Sequence, residues 1–343
     1  MTVTIGIDPH KSTHTAVAVD GDERQLARLT LRADRHQTSR LLAWAAPFDS
    51  DRVWAIESAA GLGRLLAQQL IAAGEQVVDV PPTLAARVRL LGSTRASKND
   101  PNDAFATAIA GLRHCGLRLV TRDGHTAVLR LLADRHHDLV ALRTQTACRL
   151  HVMLRELSAG GAPIRISAAH GAEFVDRIDV GDDPVAAERQ RLAREHLADM
   201  RRLDAELEAV KQRINDAVAA SHTTLTELYG VGPVVAAIVL GHVHDIGRFR
   251  TRAQFASYNG TAPIEASSAA INRHRLNMRG NRALNHAIHM IAVTQVGHDT
   301  PGRVYYLRKQ AEGKSRKEAL RALKRRVSDA VWRQLHIDAC NGR

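Results

Sequence analysis

Apolar and polar positions change period along the chain. In residues 3–8 (VTIGID) the apolar run is nearly unbroken, the pattern of a strand central in a sheet. Residues 14–20 (HTAVAVD) alternate and predict a second strand. Gly21-Asp22 marks a turn, and 25–32 (QLARLTLR) is a third strand. A helix follows over 35–46, then a strand over 52–57 (RVWAIE), a helix from Gly61 to Ala73, and a strand over 75–80 (EQVVDV) stopped by Pro81-Pro82. Further helices are predicted over 83–91 and from Pro101 to Arg113, separated by the polar stretch Gly92 to Asn99. Three meandering strands followed by alternating helices and strands imply an α/β domain, a mixed sheet with helices on its faces, over 1–120.

Beyond residue 120 the period is helical. Leu129, Leu132, Leu139, Leu142, Leu150, Met153 and Leu157 recur at helical spacing within 126–158. A Gly-Pro-containing break (Gly160 to Pro163) separates this from a second long helix, Pro184 to Ala220. There Met200, Leu203, Leu207, Val210, Ile214 and Ala217 step by three and four as a heptad seam. This coiled-coil-like segment, 121–222, suits an intramolecular bundle or an arm pairing with a second copy. The remainder, 223–343, reads as mostly helical. LYGVGPVVAAIVLGHV (228–243) opens an apolar helix after a Gly-Val-Gly-Pro turn, as a helix-hairpin-helix does, though an ordinary helix start explains it equally.

Composition narrows the class of protein. Hydrophobic residues make up 45% and aromatics 3%, so the cores are built of Ala, Leu, Val and Ile. The net charge is +12, and residues 301–343 alone carry twelve Lys/Arg against four Asp/Glu, which favours a polyanionic partner. Three cysteines without a CxxC pairing suit a reducing cytoplasm and argue against a disulfide scaffold or zinc site. The N-terminus lacks a signal-peptide pattern, and no apolar run approaches the ~18 residues of a membrane helix, so no membrane partner is expected.

Four acidic residues stand where chemistry collects. Asp8 and Glu57 each close a strand, and strand C-termini are where ligands gather in such sheets. Asp100 and Asp103 lie three apart at a helix start and share a face. Each has a purely structural reading: Asp100 before Pro101 is a good N-cap, Asp103 suits a helix N-terminus, and Asp8 could begin a turn with Pro9. Glu57 is hardest to explain that way. Together they match the oxygen-rich set that phosphoryl transfer with Mg²⁺ requires.

The blocks GIDPHKSTHTAV, AIESAAGLGRLLAQQL and SKNDPNDAFATAIA resemble those of the DEDD-type transposases of bacterial insertion sequences, the insertion sequence one-ten family, related to the Piv DNA invertase. FASYNGTAPIEASSAAINRHRLNMRGNRALNHAIHM resembles that family's second domain. The resemblance implies an RNase H-like (RuvC-like) N-terminal domain with Asp8, Glu57, Asp100 and Asp103 as a catalytic, metal-binding tetrad. It implies a nucleophilic serine in the second domain, assigned to Ser268 with Ser267 as fallback. The family's glycine after the serine is replaced here by Ala269. Ser-Ser in a small-residue stretch would otherwise read as a plain loop.

The resemblance further implies cutting and rejoining of DNA at element ends and target, multimers (dimer or tetramer), a structured noncoding guide RNA, and a site composed across domains or protomers. Arg273, Arg275, Arg279 and Arg282 around the serines, and Lys314, Arg316, Lys317, Arg321, Lys324, Arg325 and Arg326 in the tail, are then expected to hold nucleic acid. A solvated face is the plain alternative for the tail. Rival readings are a hydrolytic nuclease or junction resolvase with no covalent step, an actin-like ATPase or sugar kinase, disfavoured by the lack of a later DxGG motif, and a non-catalytic nucleic-acid-binding protein.

Overall fold

The unbroken apolar run near the N-terminus is the middle of a sheet. In the computed structural model, which describes residues 3–48, 51–92, 100–265, 274–275, 277 and 280–342, every residue of β1 (Thr4–Pro9) is buried. It pairs antiparallel with β2 (Thr13–Val19), which pairs antiparallel with β3 (Gln25–Arg32). After α1 (Gln37–Ala45), β4 (Val53–Glu57) adds to the other side of β1 in parallel. Then follow α2 (Arg64–Ala72), β5 (Gln76–Val80) parallel to β4, α3 (Pro82–Gly92) and α4 (Asp100–Arg113). A two-residue β6 (Arg118–Leu119) pairs antiparallel with β5, and the strand order is β3-β2-β1-β4-β5-β6. An antiparallel three-strand meander extended by parallel crossover strands on the first strand's free side is the RNase H-like arrangement, as the family resemblance implies.

The two sheet faces are filled differently. Ile5, Ile7, Trp54 and Ile56 form one core with Leu41 of α1 and Leu66 and Leu70 of α2. On the other face Val17 and Val19 meet Ala104 and Ala108 of α4, and Ala55 and Val80 meet Ala85 and Ala110. Small residues there let helices lie close to the strands. This unit spans Met1–Asp123.

The second unit, Gly124–Arg343, is built on two long helices. α5 (His125–Leu157) and α7 (Pro184–Ala220) run antiparallel, because Arg189 bonds Glu156, Arg143 bonds Asp204, and His125 bonds the carbonyl of Ala217. The heptad positions Met200, Leu203, Leu207, Val210 and Ile214 are all buried, so the seam is satisfied within the chain. Leu142, one of the helically spaced apolar positions of 126–158, is exposed. Pro184 at the first turn and Asp183 accepting from Val185 N start α7. A short α6 (Ala168–Asp176) lies between the long helices in sequence.

The same unit continues with α8 (Pro233–Val243), α9 (Arg252–Tyr258), the two-residue strands β7 (Ile264–Glu265) and β8 (His274–Arg275), α10 (Arg282–Gly297), α11 (Pro301–Ala311) and α12 (Arg316–Asn341). α8 is a core helix. Its Ala236, Ala237 and Val239 are buried with Leu129 of α5, Ile214 of α7 and Leu284 and Ile288 of α10. α12 starts with a reciprocal capping box between Ser315 and Glu318. Its far end is tied to the segment that follows α7 by Asp338, which accepts from Thr223 Oγ1 (2.6 Å) and Thr224 N. No helix of the described residues is long and apolar enough to cross a membrane.

Both units contain histidines held below their ordinary value near 6.5. Burial is the main cause for His14 in the sheet and for His136, His242 and His289 in the helical unit. A histidine whose folded value is depressed stabilises the fold above its unfolded value, and that stability is lost as pH falls through it. Denaturant midpoints are therefore expected to hold above about pH 6.5 and to drop steadily below it. A midpoint flat from neutrality to about pH 5 would contradict this.

Candidate active site

Two parallel strands end side by side. Ile7 of β1 lies opposite Ile56 of β4, so the residues that follow, Asp8 and Glu57, emerge together at the C-terminal edge of the sheet. Strand period two sends Ile5 and Ile7 toward α1 and α2, and Thr4, Gly6 and Asp8 toward α4.

Glycine decides how close α4 comes. A Cβ on Gly6 would stand 2.2 Å from the carbonyl oxygen of Ala104 and 2.3 Å from the amide of Ala108. A Cβ on Gly111 would stand 2.5 Å from that of Ala55 and 3.1 Å from Thr4 Cγ2. The helix thus lies on the strand at backbone distance and runs against it. From Thr4 to Asp8 the strand advances about 13 Å, and from Gly111 back to Asp103 the helix advances about 12 Å. The equal spans bring Asp103 to Asp8. Both are buried, and with Glu57 they line one cleft of about 420 Å³.

Other groups tune this cleft. Arg89 of α3 donates to Asp103, and His10 Nδ1 lies 3.5 Å from Asp8 Oδ1. Directly after Glu57, Ser58 sits in the left-handed region at φ 53°, a conformation that costs a non-glycine residue about 1–3 kcal/mol. The surroundings hold it there. Its carbonyl accepts from the amides of Gly61 and Gly63, its amide donates to Val80 O (3.0 Å), and Ala59 N donates to Asp79 Oδ1 (2.8 Å).

The donor set is all oxygen, the kind Mg²⁺ takes. Among the described residues no three acidic, histidine or cysteine side chains stand close enough to enclose an ion. Asp8, Glu57 and Asp103 fit the group in chemistry, gathered around a cleft wider than a closed coordination shell. Asp100 begins α4, and its side chain lies outside the described residues.

Ser267, Ser268, Arg273 and Arg279 also lie outside the described residues, and Arg275 is described only as part of β8. What is described is the base from which residues 261–280 depart and return. Asn281 N donates to Tyr258 O (2.7 Å), Asn285 Nδ2 donates to Asn259 O (2.9 Å), and Gly280 abuts Gly260 with no room for a Cβ. Buried Asn259 donates to Ser328 Oγ and accepts from Thr261 N and Oγ1.

The expected basic surface divides into several environments. Arg282, Lys314, Arg316, Lys317 and Arg321 are exposed. Arg326 is exposed with its guanidinium 5.6 Å from the Tyr305 ring centre. Lys324 turns inward to Asn285 Oδ1 (2.7 Å), where burial lowers its ammonium below the usual lysine range, and Arg325 pairs with Asp329. Residues not anticipated from the sequence are Arg89 and His10 at the acidic cleft. Arg89 gave only the weak signal of a cation in the last turn of a helix preceding the acidic pair.

The chain combines an RNase H-like sheet, a carboxylate cleft at that sheet's C-terminal edge and a separate helical unit. The chain belongs to the IS110 family of transposases. The family model for DEDD transposases of IS110 elements matches residues 5–159, and that described as transposase IS116/IS110/IS902 family matches 222–307. The 44.8 kDa protein of insertion element IS116 from Streptomyces clavuligerus is 29% identical, covering 97% of this chain and 94% of its own. The 42 kDa protein of insertion element IS900 from Mycobacterium paratuberculosis is 26% identical, covering 98% and 96%. Among solved structures, T. thermophilus RuvC in complex with a Holliday junction substrate matches 35% of this chain and 100% of its own, at 17% identity and TM-score 0.29.

Proposed function

We propose that this chain cuts and rejoins DNA at the ends of its insertion sequence, using the acidic cleft to position the scissile phosphodiester and Ser268 as nucleophile. The convergence of Asp8, Glu57 and Asp103 on one cleft carries the reading. It is supported by their order with Asp100 in the sequence, which spells the letters of the matching family model.

Mg²⁺ held by Asp8, Glu57, Asp103 and Asp100 would neutralise phosphate charge and favour both attacking and leaving oxygens. The protein's own part is orientation. β1, β4 and α4 fix three carboxylates on rigid elements, and Arg89 pairs with Asp103. Ser268 Oγ attacks phosphorus, the bond from phosphorus to the leaving sugar oxygen breaks, and the serine proton ends on that oxygen. Rejoining reverses this: a sugar hydroxyl attacks the phosphoserine, and serine recovers its proton. The bond energy is kept in the covalent ester, so no other energy source is needed.

In this reading a structured noncoding RNA pairs with element and target DNA and supplies sequence choice. The protein, working as a homo-oligomer, reads backbone and shape. The basic residues Arg273, Arg275, Arg279 and Arg282 and the tail from Lys314 to Arg326 hold phosphates.

The test mixes purified protein, DNA spanning the element's ends, the RNA transcribed beside its gene, and Mg²⁺, and looks for a protein–DNA adduct on a denaturing gel. An adduct absent in Ser268→Ala is the expected result. If Ser267→Ala removes it instead, the nucleophile is Ser267. Cut DNA without an adduct, unaffected by Ser268→Ala, makes the chain a hydrolytic nuclease.

A further inference from the structure

A second cleft lies in the helical unit, lined by Arg248, Arg250, Gln254, Tyr258, Gly280 and Asn281, with a volume of about 680 Å³. The stretch from Ile246 to Ile264 contains three arginines and no acidic residue. Some arginines elsewhere in the unit are answered by carboxylates, Arg191 by Glu188 and Glu195 and Arg202 by Asp199 and Glu206. Neither Arg248 nor Arg250 makes an ion pair among the described residues, and both are exposed.

Arg248 is nevertheless held. Its guanidinium carbon stands 4.8 Å from the ring centre of Phe249 and 4.7 Å from that of Tyr258, and Nη1 donates to Val243 O at 3.5 Å. Phe249 is buried, and the Tyr258 hydroxyl is itself engaged, donating to His242 O and accepting from Asn281 Nδ2. A guanidinium stacked on aromatic faces keeps its edge for a bidentate acceptor and loses little freedom on binding one. A pre-oriented, uncompensated arginine beside a second free one in an open cleft is built for a phosphodiester.

The place of the cleft selects which one. Tyr258 precedes the excursion 261–280, Gly280 and Asn281 end it, and Asn281 N bonds Tyr258 O across its base. The excursion carries Ser268, so both of its roots form walls of this cleft. We infer that the cleft binds two adjacent backbone phosphates of the DNA strand cut at Ser268, one at each arginine, holding that strand beside the nucleophile's segment through cleavage and rejoining. The inference rests on the proposed recombinase function and adds a subsite to it.

The test is the salt dependence of binding, measured by fluorescence anisotropy in a Ser268→Ala background so that chemistry plays no part. The probes are element-end DNA and, separately, the RNA. Removing two phosphate contacts lowers the slope of log K against log salt by about 1.4–1.8. Arg248→Gln with Arg250→Gln is therefore expected to shallow the DNA slope by that amount and leave the RNA slope unchanged. Arg248→Lys should keep the slope and weaken DNA binding several-fold, since the charge remains and the flat stacked fork is lost. Both side chains are exposed, so the melting temperature should not move, and a double variant that does unfold leaves Arg250→Gln alone to shallow the slope by about half as much. An unchanged DNA slope overturns the inference and leaves the recombinase reading standing. A shallower RNA slope with an unchanged DNA slope reassigns the cleft to RNA. Element DNA unbound by the Ser268→Ala protein itself removes the recombinase reading, and the cleft's role with it.

Discussion

Asp8→Asn is expected to reduce strand cleavage by on the order of 10²–10³-fold or more, the usual cost of removing a preorganised charged group from a phosphoryl-transfer site. The amide keeps the shape of the carboxylate but not its charge. Asp8 is 7% exposed, and with Glu57 and Asp103 it lines one small cleft, where carboxylates repel one another. Without added metal the variant should therefore melt at or above the parent's temperature. With Mg²⁺ the order should reverse, because an ion that binds only the folded protein stabilises it by about 2.7 kcal/mol at a hundred times its dissociation constant. Calorimetry with and without Mg²⁺ beside a cleavage assay checks both halves. Full cleavage by Asp8→Asn would sink the assignment of this cleft as the site of chemistry.

Gly6→Ala should be the most damaging methyl group in the first unit. Its Cβ would meet backbone atoms of Ala104 and Ala108, and backbone cannot swing aside as a side-chain end can. Overpacking costs typically 1–3 kcal/mol, and the rigid contact places this case near about 3. For a unit of this size that is roughly 10 °C in Tm. If the variant folds, it does so by lifting α4 from β1, which carries Asp103 away from Asp8 and removes cleavage as well. Gly21→Ala is the matched control, since nothing stands within 4 Å of its Cβ. Equal melting temperatures for the two variants would show that α4 is not pinned there.

Much of this architecture was legible in the chain. β1 shows as an unbroken apolar run because it is covered on both faces, and α7 shows as a heptad because one narrow stripe meets α5. The strand-end position of Asp8 and Glu57 follows from the same patterning. Other features leave no periodic trace. β6 is two residues long, too short for any period, and α6 lies between segments that signal loops. The pairing of Arg89 with Asp103 depends on how α3 lies against α4, which local sequence does not state. Nothing in the local sequence sets Arg248 and Arg250 apart, and their distinction comes from two aromatic rings and from the fold returning the chain at Asn281. The alanines and the single glycine of α4 leave no periodic trace either, whereas they set the distance at which two carboxylates meet.

The closed neck of the 261–280 excursion has a consequence for engineering the chain. Tyr258 and Asn281 are joined backbone to backbone, Asn259 is clamped to Ser328 and Asn285, and Gly260 touches Gly280, so the helical core does not depend on the covalent path between them. A single cut of the backbone between Pro263 and Asn277 should leave α8 to α12 folded. The same neck makes the segment exchangeable: the corresponding segment of a relative could be grafted in at Gly260 and Gly280 as a cassette, with its foundation kept.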